Sequence, residues 1–97
     1  MTLGAASDTV GPVLESSPGG HAVVAAIQKL NSNVIVQDRG AYLRVLVPRA
    51  CHVTREAIEL ELGLPFRLPQ DLEALMPAFK GLVRIGADRV EWSLVQR

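Results

Sequence analysis

Cys51 and His52 are the adjacent pair in this chain best able to do chemistry. A thiol beside an imidazole offers a nucleophile with a base, or two legs of a metal site. The rest of the constellation is missing. Cys51 is the only cysteine and His21, far away in the chain, is the only other histidine, so a tetrahedral zinc site cannot be completed. No carboxylate stands at a spacing that would orient a catalytic base. The pair therefore reads as loop residues with no catalytic role, and a lone thiol fits a reducing compartment.

Other candidates fare no better. Glu56, Glu59 and Glu61 could supply acid–base carboxylates, but three on one short helix beside a capping threonine read as a solvated face or a partner contact. Pro18-Gly19-Gly20 precedes a helix but lacks the Gly-Lys-Ser/Thr ending and the long hydrophobic strand of a phosphate loop. Tyr42 and Arg44 project from one side of a strand and could stack a nucleic-acid base. With aromatics at 4%, and ten Lys and Arg balanced by ten Asp and Glu, a packed or partner-facing pair fits better. A chain so empty of reactive groups is expected to work by contact.

The elements that would position these residues are well marked. Ninety-seven residues suffice for one domain with one modest core. Met1 to Thr9 is small and polar and reads as a flexible tail, with the folded domain from residue 10 to 97. Val10-Gly11-Pro12-Val13-Leu14 reads as a strand, placed at a sheet edge because Pro12 cannot donate to a ladder. His21–Leu30 carries Val23, Ile27 and Leu30 on one helical stripe, and Asn31 and Asn33 stop it. Val34–Gln37 and Ala41–Val47 pair as a hairpin around Asp38-Arg39-Gly40, with Leu43, Val45 and Val47 on one face. Thr54 caps a second helix that closes at Gly63, and Phe66 turns back to the core. Pro69-Gln70-Asp71 opens a third helix, on whose period fall Leu72, Leu75, Met76 and Phe79, with Pro77 as its limit. Leu82–Ile85 and Val90–Val95 form a closing hairpin with Val90, Trp92 and Leu94 on one face. The order is β-α-β-β-α-α-β-β, an α+β class of antiparallel sheets with helices packed on them in one compact domain.

Val10-Gly11-Pro12-Val13, the hairpin from Val36 to Val45, the helix and exit from Thr54 to Phe66, and Phe79-Lys80-Gly81 follow one another in a familiar order. The chain resembles the small effector (coupling or regulatory) proteins of bacterial multicomponent diiron monooxygenases, and most of all those of the toluene and alkene monooxygenase branch. The resemblance implies a protein without cofactor, metal or catalytic residues of its own. It implies docking on the diiron hydroxylase, over the helices that cover the metal centre, and tuning of oxygen activation and coupling during hydrocarbon oxidation. Gly11, Pro12, Arg39, Tyr42 and Arg44 are the expected partner-binding residues, since Tyr and Arg are enriched at binding hot spots and Gly11-Pro12 would form an exposed edge.

A monomer when free is also expected. The N-terminus has neither a basic start nor a long apolar run, and Ala22–Ile27 is too short to cross a bilayer, so a cytoplasmic protein is expected. The competing expectation is a small-ligand-binding regulatory domain of ferredoxin-like type, which would be stabilised by its metabolite. A nucleic-acid module, disfavoured by the charge balance, would show steep salt dependence.

Overall fold

The structure, a computed structural model, describes residues 8–95. Seven strands and three helices follow one another as β1 (Thr9–Glu15), α1 (Pro18–Leu30), β2 (Ile35–Asp38), β3 (Tyr42–Pro48), β4 (Ala50–Thr54), α2 (Arg55–Leu62), α3 (Gln70–Leu75), β5 (Ala78–Lys80), β6 (Leu82–Ile85) and β7 (Arg89–Ser93). They form a four-stranded sheet ordered β2-β3-β1-β5 and a three-stranded sheet ordered β4-β7-β6, every pairing antiparallel. The expected α+β order holds, with two short strands added, β4 and β5. The tail expected over residues 1–9 lies, through residue 7, outside the described residues. Thr9 already belongs to β1, and the Asp8 carbonyl accepts from the Arg49 N–H at 2.7 Å.

α1 starts three residues earlier than its apolar stripe predicts. Ser17 is the N-cap, its Oγ accepting from the Gly20 N–H at 3.2 Å, and Pro18 occupies the first turn, where its missing donor costs nothing. Pro18-Gly19-Gly20, expected to precede the helix, is therefore its first turn. Val23, Ala26 and Ile27 are fully buried and cover β3 and β4. At the other end Asn31 does more than stop the helix. Its Nδ2 donates to the Ile27 and His52 carbonyls, both at 2.8 Å, and its Oδ1 accepts from the His52 N–H at 3.1 Å. One side chain thus ties α1 to β4 across the core.

β1 corrects the expectation of an edge strand. It is interior, between β3 and β5. The β1–β3 ladder pairs Thr9 and Val10 with Pro48 and Val47, then resumes at Val13 opposite Arg44, so Gly11 and Pro12 fall where no bridge to β3 is made. On the other side Pro12 lies opposite Phe79 of the three-residue β5. Proline is tolerated inside the sheet because the ladder is interrupted at that point. Gly11 is required there: its φ is +149°, and a Cβ would collide with the Val45 carbonyl oxygen.

Leu43, Val45 and Val47 of β3 are buried, as their alternation predicts, and join Val10, Leu14 and the α1 stripe in one core. Val53, Val90 and Trp92 continue that core under the second sheet, and Ile58, Phe66 and Leu72 close it from α2, the exit loop and α3. Phe79 departs from the expected helical period. Met76 caps α3, and beyond Pro77 the chain turns extended, so Phe79 sits on β5 with 41% of its surface exposed.

Candidate functional site

Cys51 and His52 lie on β4, not in a loop as expected. Cys51 is opposite Trp92 and Val53 opposite Val90, and Cys51 and Val53 are buried. The alternation Cys51-His52-Val53 was the signal for a strand, masked by Pro48 and by Arg49, whose φ of +66° separates β4 from β3. Burial pushes the Cys51 thiol up to about 12 from an ordinary 9.0, the reverse of what a nucleophile or metal ligand needs. Among the described residues no group of three His, Cys, Asp or Glu side chains could hold a metal.

That thiol has a measurable consequence. Over the window from about 9 to about 12 the unfolded chain gives up the Cys51 proton while the folded chain keeps it. The folded state then binds more protons, so stability falls as pH rises through that window, by on the order of 1 kcal/mol per unit, and is undiminished below it. Cys51→Ala should flatten this alkaline slope in denaturant titrations, and the native thiol should react with a disulfide reagent only on unfolding. Stoichiometric labelling of the folded protein at pH 8 would contradict the burial.

The acidic run on α2 is only partly the solvated face expected. Glu56 is exposed, but the Glu59 carboxylate accepts the Phe66 N–H at 2.8 Å and pairs with Arg55 at 3.6 Å, while Glu61 pairs with Lys29. These carboxylates hold the exit loop and α1 in place. Nearby, an open depression of about 430 Å³ is bordered by Arg55, Glu59, Arg67 and Asp88. Its charges are mutually satisfied: Arg55 meets Asp88 at 3.0 Å, and Arg67 meets Asp71 at 2.9 Å. Side-chain and then backbone hydrogen bonds from Arg67 hold the Asp71 carboxyl below its usual range.

The outward face of the four-stranded sheet is different. β3 alternates strictly, so burying Leu43, Val45 and Val47 turns Tyr42, Arg44 and Leu46 away from the core. Register then extends this face across the sheet. Arg44 lies beside Gln37 of β2 and Val13 of β1, Leu46 beside Ile35, Tyr42 beside Glu15, and Gly11 beside Lys80. No helix among the described residues covers it, and Ile35 and Tyr42 are 51% and 47% exposed. A hollow of about 500 Å³ opens here, floored by Gly11 and Val13 and walled by Tyr42, Leu46 and Phe79, with Arg39, Arg44 and Lys80 around it.

Four of the five expected partner-binding residues, Gly11, Arg39, Tyr42 and Arg44, therefore meet at one hollow. The reason for choosing Gly11 and Pro12 is corrected: both are buried in a central strand and form no edge. Pro12 is fully buried and does not border the hollow, whereas Gly11 borders it with its backbone. Ile35, Leu46, Phe79 and Lys80 went unnoticed in sequence. The β2–β3 register would have placed Ile35 beside Leu46, but Phe79 and Lys80 needed β5. Arg39 donates to the Gln37 Oε1 at 3.2 Å, and its N–H bonds the Tyr42 carbonyl at 2.8 Å. Gly40, at φ +81°, lets the Asp38 carboxylate receive its N–H at 2.9 Å. The Arg44 guanidinium has no ion-pair or hydrogen-bond partner among the described residues.

The domain is α+β, and the outward face of its four-stranded sheet carries a cationic, half-apolar hollow whose Arg44 is unpaired among the described residues. Residues 8–93 match the MmoB/DmpM family, and the chain belongs to it. It is 36% identical over 85 residues to the effector subunit of the alkene monooxygenase system of Xanthobacter autotrophicus (strain ATCC BAA-1158 / Py2), covering 86% of this chain and 83% of that one. In fold it matches chains from two structures of a phenol hydroxylase–regulatory protein complex. The TM-scores are 0.78 and 0.71 at 18% and 20% identity, over 90% and 87% of this chain and 99% of each of those. No helix among the described residues is long and apolar enough to cross a membrane.

Proposed function

We propose that this protein is the effector component of a multicomponent diiron monooxygenase, a non-enzymatic cytoplasmic subunit that is monomeric when free. It binds the hydroxylase and raises the rate and coupling of hydrocarbon oxidation. Family membership across residues 8–93 carries the reading. The buried, proton-retaining Cys51 and the uncovered sheet face are consistent with it.

Such a subunit can act only by binding one hydroxylase conformation better than another, which shifts the population toward the reactive geometry. A contact of about 800 Å² per partner suffices for a specific, reversible complex. The open sheet face is the surface we assign to it, with Arg39, Tyr42 and Arg44 as contacts and Gly11 at the floor of the hollow between them.

The deciding experiment is steady-state oxidation of a small alkene or arene by the companion hydroxylase and reductase, with this protein titrated in. Saturable stimulation at least about tenfold is expected, equivalent to a barrier lowered by about 1.4 kcal/mol. The protein alone should show no turnover. An unchanged rate and coupling efficiency at saturating concentration would refute the role. The competing small-ligand reading predicts instead a metabolite that raises the melting temperature.

A further inference from the structure

We infer that the hollow on the open sheet face receives a carboxylate borne on an otherwise apolar segment of the hydroxylase, gripped by Arg44 with Arg39 and Lys80 beside it. This inference rests on the effector reading above and specifies its partner chemistry.

Three observations carry it. The first is charge. Arg39, Arg44 and Lys80 border the hollow, and no acidic residue does. The nearest carboxylates along the strands are Glu15, at the end of β1 opposite Tyr42, and Asp38, which is turned into its own loop toward the Gly40 N–H. The second is pairing. The charged depression at α2 has its arginines matched to carboxylates at 2.9 and 3.0 Å, whereas Arg44 is matched to none of the described residues. A guanidinium offers a planar fork of donors suited to a carboxylate, and this one stands on a rigid central strand. The third is shape. The backbone of Gly11 lies at the floor and Leu46, Tyr42 and Phe79 make apolar walls, so an incoming group meets a largely apolar hollow beside the cations. Apolar walls exclude water from the ion pair and strengthen it.

An acidic anchor among apolar neighbours complements all three features. A basic partner surface would be repelled, and a purely apolar one would leave Arg44 desolvated without a mate.

The test compares Arg44→Glu, Arg44→Lys and Tyr42→Ala with Arg84→Glu, the same charge change on exposed Arg84 of β6. Affinity for the hydroxylase is measured at low and high salt, alongside melting temperature. Arg44→Glu should bind more than about 30-fold more weakly at low salt, with the deficit shrinking as salt rises. Arg44→Lys should recover part of the loss, Tyr42→Ala should weaken binding at both salt levels, and Arg84→Glu should stay within about threefold of the parent. All four should melt close to the parent protein, since these side chains are exposed. Equal losses for Arg44→Glu and Arg84→Glu would overturn the inference, as would unchanged affinity in Arg44→Glu. Either result with a parent protein that still stimulates the hydroxylase leaves the effector reading standing. A parent protein that neither binds nor stimulates refutes that reading instead.

Discussion

Gly11→Ala is expected to lower stability by roughly 3 kcal/mol or more, among the largest effects of any single methyl group added to this protein. Two costs combine. The backbone at Gly11 has φ +149°, which side chains rarely adopt, and the added Cβ would collide with the Val45 carbonyl oxygen on the neighbouring strand. Neither can relax cheaply, because β1 is held on both sides by β3 and β5. For a domain of this size such a loss corresponds to a fall in melting temperature of more than about 12 °C. Thermal and denaturant unfolding measure it directly. A variant melting within about 3 °C of the parent would show that β1 can shift away from β3, and the account of its interrupted ladder would fail.

The second large effect is expected at Trp92. Its side chain is fully buried on the central strand of the second sheet, between Cys51 of β4 and Val83 of β6. Trp92→Ala should destabilise by about 3–5 kcal/mol, through lost burial and the cavity left behind. Trp92→Phe should cost much less, under about 2 kcal/mol. It keeps a ring in place and removes an indole N–H that has no hydrogen-bond partner among the described residues, a group that costs about 1–3 kcal/mol to bury unpaired. The ratio of the two losses, read by circular dichroism because the only tryptophan is gone, tests whether volume or polarity dominates at this site. A Phe variant as unstable as the Ala variant would mean that the indole N–H is satisfied after all.

Much of the architecture was legible in the residues because it is enforced locally. Thr54 caps α2 by accepting the Ala57 N–H at 3.1 Å, and Gly63 ends the helix at φ +77°. Both roles depend on side-chain chemistry within a few positions. The alternation of β3 likewise fixed which of its side chains face water, and so placed Tyr42 and Arg44 together before any contact was known. Arg39 followed from the tight turn that precedes them.

What the sequence did not reveal depends on partners distant in the chain. Pro12 argued for an edge, yet β1 is central, because the three residues Ala78–Lys80 come back to pair with it. A strand that short has no periodicity to detect. Cys51-His52 looked like a loop because its strand is defined by pairing with β7, some forty residues later. The hollow itself needs three strands of its sheet: β3 supplies the arginine and tyrosine, β1 the floor at Gly11 and Val13, and the edge strand β5 the aromatic wall and the lysine. Local chemistry determined the elements and the absence of any reactive constellation. Only tertiary pairing decided which strand is interior and where an uncovered, cationic surface is left over, because sheet order is set by long-range burial that short segments do not encode by themselves.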